Sequence, residues 1–221
     1  MARYHDKEES TSIAFARHAI FLENKKQLIK KDIIRQTLLK DHRGSFDVLV
    51  DETNRKLKET FGFELVKADK KKNSFILINT ESAEYAEVVQ ETYKDAKNLY
   101  PFLPKVGLIS FILAFVALND NKLSQGELNK SLEDALDINI SQDTEFGQKI
   151  PEVLTDLIKQ NYLDRMKIKD GAIDDQTYYS WGARAYVEYP IDKLAHFIAM
   201  VYGSENIDEI QEHLHSALQK Q

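Results

Sequence analysis

The sequence predicts a mostly α fold with small β hairpins: tandem winged-helix domains (α+β) followed by a C-terminal helix. Three observations lead there. An order of helix, helix, helix and hairpin occurs twice, over residues 12–80 and again over 101–203. The composition is that of a folded chain, with 43% hydrophobic and 30% charged residues, 8 glycines and 4 prolines in 221 residues, enough for one large or two small domains. An acidic stretch closing with two prolines separates the two cycles, and residues 81–100 are therefore read as a linker, helical or partly ordered.

The first cycle opens with a helix in which Ile13, Ala16, Ile20 and Phe21 recur near helical spacing. A second short helix carries Ile33, Ile34, Thr37 and Leu38 on one stripe. The third places Phe46, Leu49, Val50, Thr53, Leu57 and Phe61 on one side, with Ser45 as its N-cap. After Gly62, residues 63–67 and 74–80 are short β-rich runs around a lysine-rich tip, a hairpin pattern.

The second cycle starts with a helix through 106–118 that is apolar nearly all round, so it is expected at the centre of its unit; it is too short to span a bilayer. In the next helix Ser124 and Glu127 form a capping box, with Leu123 stapled onto Leu128. Pro151 falls in the first turn of a third helix that turns Ile150, Val153, Leu154, Leu157, Ile158 and Tyr162 inward. Residues 163–169 and 176–182 make a second hairpin. Aromatic and β-branched residues over 178–190 read as strand up to Pro190, where a helix through Tyr202 begins and Gly203 stops it. Residues 204–221 form an amphipathic helix with Ile207, Ile210, Leu214 and Leu218, which either packs back on the fold or offers a partner its apolar face.

The chemistry in the sequence is that of binding. There is no cysteine, which excludes disulfides, thiolate metal sites and cysteine nucleophiles. No phosphate loop, HExxH or GxSxG pattern occurs, and His213 and His215, two apart on a helix, diverge. No enzyme activity, cofactor or metal is therefore expected. No signal peptide is read at the N-terminus. The net charge of −6 hides an asymmetry: residues 12–80 hold 15 Lys and Arg against 9 Asp and Glu, whereas residues 101–203 hold 10 against 15. In the first unit Lys30, Lys31 and Arg35, with Lys40 and Arg43, surround the second helix, and Lys67, Lys70, Lys71 and Lys72 sit on or beside the wing. In the second, Lys149, Lys159, Arg165, Lys167 and Lys169 follow the third helix and the next strand. These cations suit backbone contacts to double-stranded DNA, weak and without sequence specificity; the competing reading is ordinary solvated lysine. The 45–61 helix mixes Arg55, Lys56 and Lys58 with Asp47, Asp51, Glu52 and Glu59, which argues against sequence-specific reading.

The run from Trp181 to Gly203 resembles the C-terminal signature of the MAGE (melanoma antigen) homology domain family. Trp181, Gly182, Arg184 and Ala185 match its tryptophan-glycine-proline-arginine corner, with Ala183 in place of the proline. The 61–80 hairpin and the helices over 107–138 resemble the same family, so the similarity extends over roughly residues 12–203. It implies two winged-helix units and, in the branch this compact chain resembles, a non-catalytic nuclear subunit of a chromosome-maintenance SMC complex acting in DNA repair. Such a subunit sits between a RING-finger partner and a kleisin partner. Ile20, Phe21 and Leu22 are the nearest equivalents of the family's RING-facing leucine doublet. Phe111, Phe115, Tyr179 and Trp181 would line the kleisin groove, with core packing the alternative for each. The family's ubiquitin-ligase cofactors, acting as protein adaptors alone, are the second functional reading. For Trp181 and Arg184 the residues favour a structural corner: an indole needing one acceptor, and a guanidinium held by a carboxylate or by helix-end carbonyls.

Overall fold

A computed structural model describes residues 2–39, 45–68, 73–80, 103–144, 147–170 and 173–219. It divides into two compact units, Met1–Ala96 and Lys97–Gln221.

In the first unit the order is α1 (Ala2–Glu23), β1 (Ile29–Lys30), α2 (Lys31–Leu38), α3 (Phe46–Phe61), β2 (Phe63–Lys67) and β3 (Ser74–Asn79). The antiparallel sheet runs β1-β3-β2, with Leu65 opposite Leu77 and Ile29 opposite Phe75. Both faces of Asn54 on α3 are used to hold β2: its Oδ1 accepts the Leu65 N–H at 2.7 Å and its Nδ2 donates to the Leu65 carbonyl at 3.2 Å. The core is a chain of rings, Phe15 to Phe46 at 6.1 Å and Phe46 to Phe75 at 5.9 Å, closed by Ala19, Ile34, Leu49 and Leu57. α3 ends at Gly62, whose φ of 66° lies in the left-handed region that favours glycine.

On α1 the apolar residues at helical spacing divide between this core and the surface. Phe15, Ala16 and Ala19 are buried, while Ile13 and Phe21 are 40% and 54% exposed. In α2 only Ile34 is buried and Ile33 faces out; on α3 Phe61 is 53% exposed. Ser45 precedes α3 in an extended conformation without a side-chain cap.

The second unit follows the order α4 (Leu103–Leu118), β4 (Leu123–Ser124), α5 (Gln125–Leu136), α6 (Ile150–Lys159), β5 (Leu163–Asp170), β6 (Ile173–Trp181), α7 (Ala183–Glu188), α8 (Ile191–Tyr202) and α9 (Ile207–Gln219). Its sheet runs β4-β6-β5, the same arrangement as in the first unit. α4 is central, with Ile112, Leu113, Ala114, Phe115, Val116 and Ala117 all buried in succession. Leu128, Leu132, Val153, Leu157, Leu194 and Ile198 enclose it. α9 packs back on the fold, burying Leu214, Ala217 and Leu218, and His213 Nε2 lies 3.1 Å from the Leu118 carbonyl at the end of α4.

The fold class expected from sequence is the one observed: mostly helical, two units each of winged-helix order, and a C-terminal helix. The strand expected over 178–190 stops at Trp181, and 183–188 is a short helix. Tyr186 and Val187 have strand preference, but tertiary bonds decide: the Arg184 N–H donates to the Asn161 carbonyl at 2.9 Å and turns the chain there. The linker expected over 81–100 lies outside the described residues.

Candidate interaction surfaces

Trp181 is wholly buried where β6 runs into α7. Its Nε1–H donates to the Leu113 carbonyl on α4 at 2.9 Å, and its own backbone N–H donates to Asn121 Oδ1 at 2.7 Å. Tyr186 stands edge-on to the indole with ring centroids 5.3 Å apart, its hydroxyl accepting from Asn121 Nδ2 at 2.8 Å. Arg184 is equally buried and is gripped by both partners that the sequence suggested as alternatives. Its Nε donates to the Gln160 carbonyl at the C-terminus of α6 (3.2 Å), and Nη1 meets Glu188 Oε1 at 2.5 Å. Glu188 also accepts from the Tyr162 hydroxyl.

Burial pushes the Tyr162 phenol far above its ordinary value, and the Glu188 carboxylate adds to the shift. Tyr186 is pushed up to about 12, again mainly by burial, and burial also raises Tyr179 and Tyr189. The corner is thus a locked joint of uncharged phenols around the part-buried Arg184–Glu188 ion pair. Among the described residues no group of three His, Asp or Glu is placed to hold a metal ion.

The residues expected to line an apolar groove separate by burial. Phe115, Tyr179 and Trp181 are interior, packed in the α4 core, so none of them presents a face to a partner in this conformation. Large apolar rings on a central helix and its adjoining strand are where a core is built. Phe111 alone of the four is partly exposed, its ring edge-on to Phe197 at 5.2 Å.

Near the end of α1, Phe21 projects into solvent beneath Lys25 Nζ, 4.5 Å from the ring centroid, while Ile20 and Leu22 are half-buried. Of the cations in the first unit, Lys30 and Lys67 are exposed. Lys31 Nζ and the Arg35 guanidinium lie over the Phe46 ring at 4.6 and 5.8 Å, so this aromatic core residue also positions two surface charges. Lys70, Lys71 and Lys72 fall outside the described residues.

In the second unit Lys149 and Lys159 are exposed at the two ends of α6; Glu152 caps the first by accepting the Lys149 N–H, and Asp156 lies 3.7 Å from Lys159 Nζ. Arg165 and Lys167 are exposed on alternate positions of β5, opposite Tyr179 and Thr177, and so share one face of the wing; Lys169 lies on the same strand, its side chain outside the described residues. Sequence reasoning missed Lys122, which stacks over Tyr178 at 4.9 Å. The two-residue strand β4 brings these together, and it is too short to leave a periodic signal.

The MAGE homology domain model matches residues 15–192. The chain belongs to the MAGE homology domain family. This MAGE chain is 26% identical over 187 residues to the rat protein "Melanoma-associated antigen E1", covering 81% of the chain but 18% of that relative. It is 26% identical over 187 residues to the human "Non-structural maintenance of chromosomes element 3 homolog", covering 84% of the chain and 59% of that relative. The MAGE chain thus spans under a fifth of the E1 antigens and more than half of the element 3 homolog. Among solved structures it shares its fold with a chain of the "Nse1-Nse3-Nse4 complex", with a TM-score of 0.77 and 21% identity over 97% of this chain and 99% of that one.

Proposed function

We propose that this MAGE chain is a non-catalytic subunit of a nuclear SMC complex acting in DNA repair, joining a RING-finger partner to a kleisin partner and touching the DNA backbone without sequence preference. The observation that carries the reading is the fold agreement along almost the whole of both chains with a subunit of the Nse1-Nse3-Nse4 complex. The 26% identity over 187 residues to the human element 3 homolog supports the same reading. Phe21 with Ile20 and Leu22 offers the RING partner an apolar end of α1, and Phe111 the kleisin a half-open ring on α4. Lys30, Lys31, Arg35 and Lys67 of the first unit and Lys149, Lys159, Arg165 and Lys167 of the second supply cations to phosphates, joined in the proposal by Lys70, Lys71, Lys72 and Lys169.

Co-purification with the RING-finger and kleisin subunits tests the assembly: binding of both is expected, and failure with either one sinks it. Titration with random duplex DNA at rising salt tests the nucleic-acid role. Affinity falling linearly on a log–log plot is expected. No binding at low salt, with both partners still held, would point to the protein-adaptor role of the ubiquitin-ligase cofactors.

A further inference from the structure

The first unit carries a cleft of about 450 Å³ between α1 and α3. Ile13, Ala16 and Ile20 line it from α1 and Phe61 from the end of α3. The three α1 positions recur at spacings of three and four, and so form one stripe roughly 10 Å long, two helical turns. Ala16 is buried and Ile20 packs against the core that Phe15 and Ala19 help to build, while Ile13 is 40% exposed. The stripe therefore runs along the edge of the core, and its open side faces the cleft.

The rim of the cleft is charged with one sign in excess. Arg17, Arg55 and Lys56 line it against a single carboxylate, Glu59, in a chain whose net charge is −6. Arg55 Nη1 meets Glu59 at 3.3 Å with both side chains 61% exposed, a solvated pair that another carboxylate can exchange into. Ile13 and Phe61 stay substantially exposed, so the cleft is open along its length and suits a segment laid across it better than an enclosed small molecule.

We propose that this cleft docks an acidic amphipathic helix of a partner protein, its apolar residues at helical spacing on the Ile13–Ala16–Ile20 stripe and Phe61, and its carboxylates against Arg17 and Arg55. The apolar floor favours a protein helix over a nucleic-acid backbone, which would use the cations and leave the floor uncovered. Ile20 is shared with the end of α1 proposed for the RING-finger partner, whereas Ile13, Arg17, Arg55 and Phe61 belong to the cleft alone, so failure of the peptide test and failure of co-purification are distinguishable.

The test uses the full chain and a fluorescent 15-residue helical peptide with leucines at i, i+3 and i+7 flanked by glutamates, beside a copy with lysines in place of the glutamates. The acidic peptide is expected to bind saturably, at least tenfold tighter than the lysine copy, with amide shifts at Ile13, Ile20 and Phe61 in NMR spectra. Ile13→Glu is expected to weaken it about tenfold. The double variant Arg17→Glu/Arg55→Glu lies on the surface and spares the fold, and should reverse the preference between the two peptides. Equal binding of both peptides, an unchanged preference in the double variant, or no saturable binding would overturn the proposal. So would displacement of the peptide by a 20-base-pair duplex whose own affinity ignores Ile13→Glu, since that would make the cleft a phosphate site.

Discussion

Arg184 holds its corner through interactions that only a buried guanidinium can make together: a carbonyl at the end of α6 and a carboxylate one turn along α7. Removing it strands the Glu188 charge beside Tyr162, so Arg184→Ala should cost about 3–5 kcal/mol in chemical denaturation. Arg184→Lys should recover little of that, because a single ammonium nitrogen lacks the separate Nε and Nη1 donors that reach the two acceptors. Gly182 is required for a different reason. Its φ is ordinary, but a Cβ there would sit 2.3 Å from the Asn161 carbonyl oxygen, so Gly182→Ala should cost about 2–3 kcal/mol by forcing α7 off the sheet. Alkaline pH acts on the same joint. The Tyr162 and Tyr186 phenols are held above their unfolded value, so the folded state keeps protons that the unfolded chain releases. Their contribution is complete below about pH 10 and is lost as pH rises beyond it. Thermal melts between pH 9 and 12 should show the second unit's stability falling steadily, with phenolate absorbance rising at the transition. The need of Trp181 for one acceptor and of Arg184 for a carboxylate or carbonyls was legible in the residues themselves. The role of Gly182 was not, because the carbonyl that excludes a side chain arrives from the far end of α6.

Elements with a boundary signal were readable, and those without one were not. The Ser124–Glu127 capping box occurs as its spacing predicts: Ser124 Oγ accepts the Glu127 N–H at 3.2 Å and the carboxylate returns to Ser124. Ser124→Ala should destabilise the second unit by about 1 kcal/mol, measurable by urea denaturation. Hydrogen bonds from the Ser124 side chain and then its backbone lower the Glu127 pKa. That stabilisation is present above the ordinary carboxylate range and lost as pH falls through the lowered value, so the difference between wild type and variant should shrink in acid. α1 defeated periodicity because residues 12–22 are apolar on two faces, and only the fit of Phe15 against Phe46 decides which is buried. β1 and β4 have two residues each, below any repeat, and exist because β3 and β6 offer an edge to pair with. α7 has six residues of mixed preference and owes its shape to the carbonyls it caps.

Across the whole chain, the repeated order of helices and hairpins made both units visible, while the charged surfaces were legible only as residue types. Lys31 and Arg35 lie over Phe46, and Arg165 and Lys167 share one wing face; both facts depend on strand register and helix packing. If that wing touches phosphates, Arg165→Glu/Lys167→Glu should lower the salt slope of duplex binding by about two, with circular dichroism unchanged. The family match closes at residue 192, yet α8 and α9 send Leu194, Ile198, Leu214 and Leu218 into the same interior as α4. The matched segment and the packed interior therefore end at different places. A chain cut at residue 192 would leave the central helix of the second unit bare along one side, and it should precipitate instead of yielding a smaller working module.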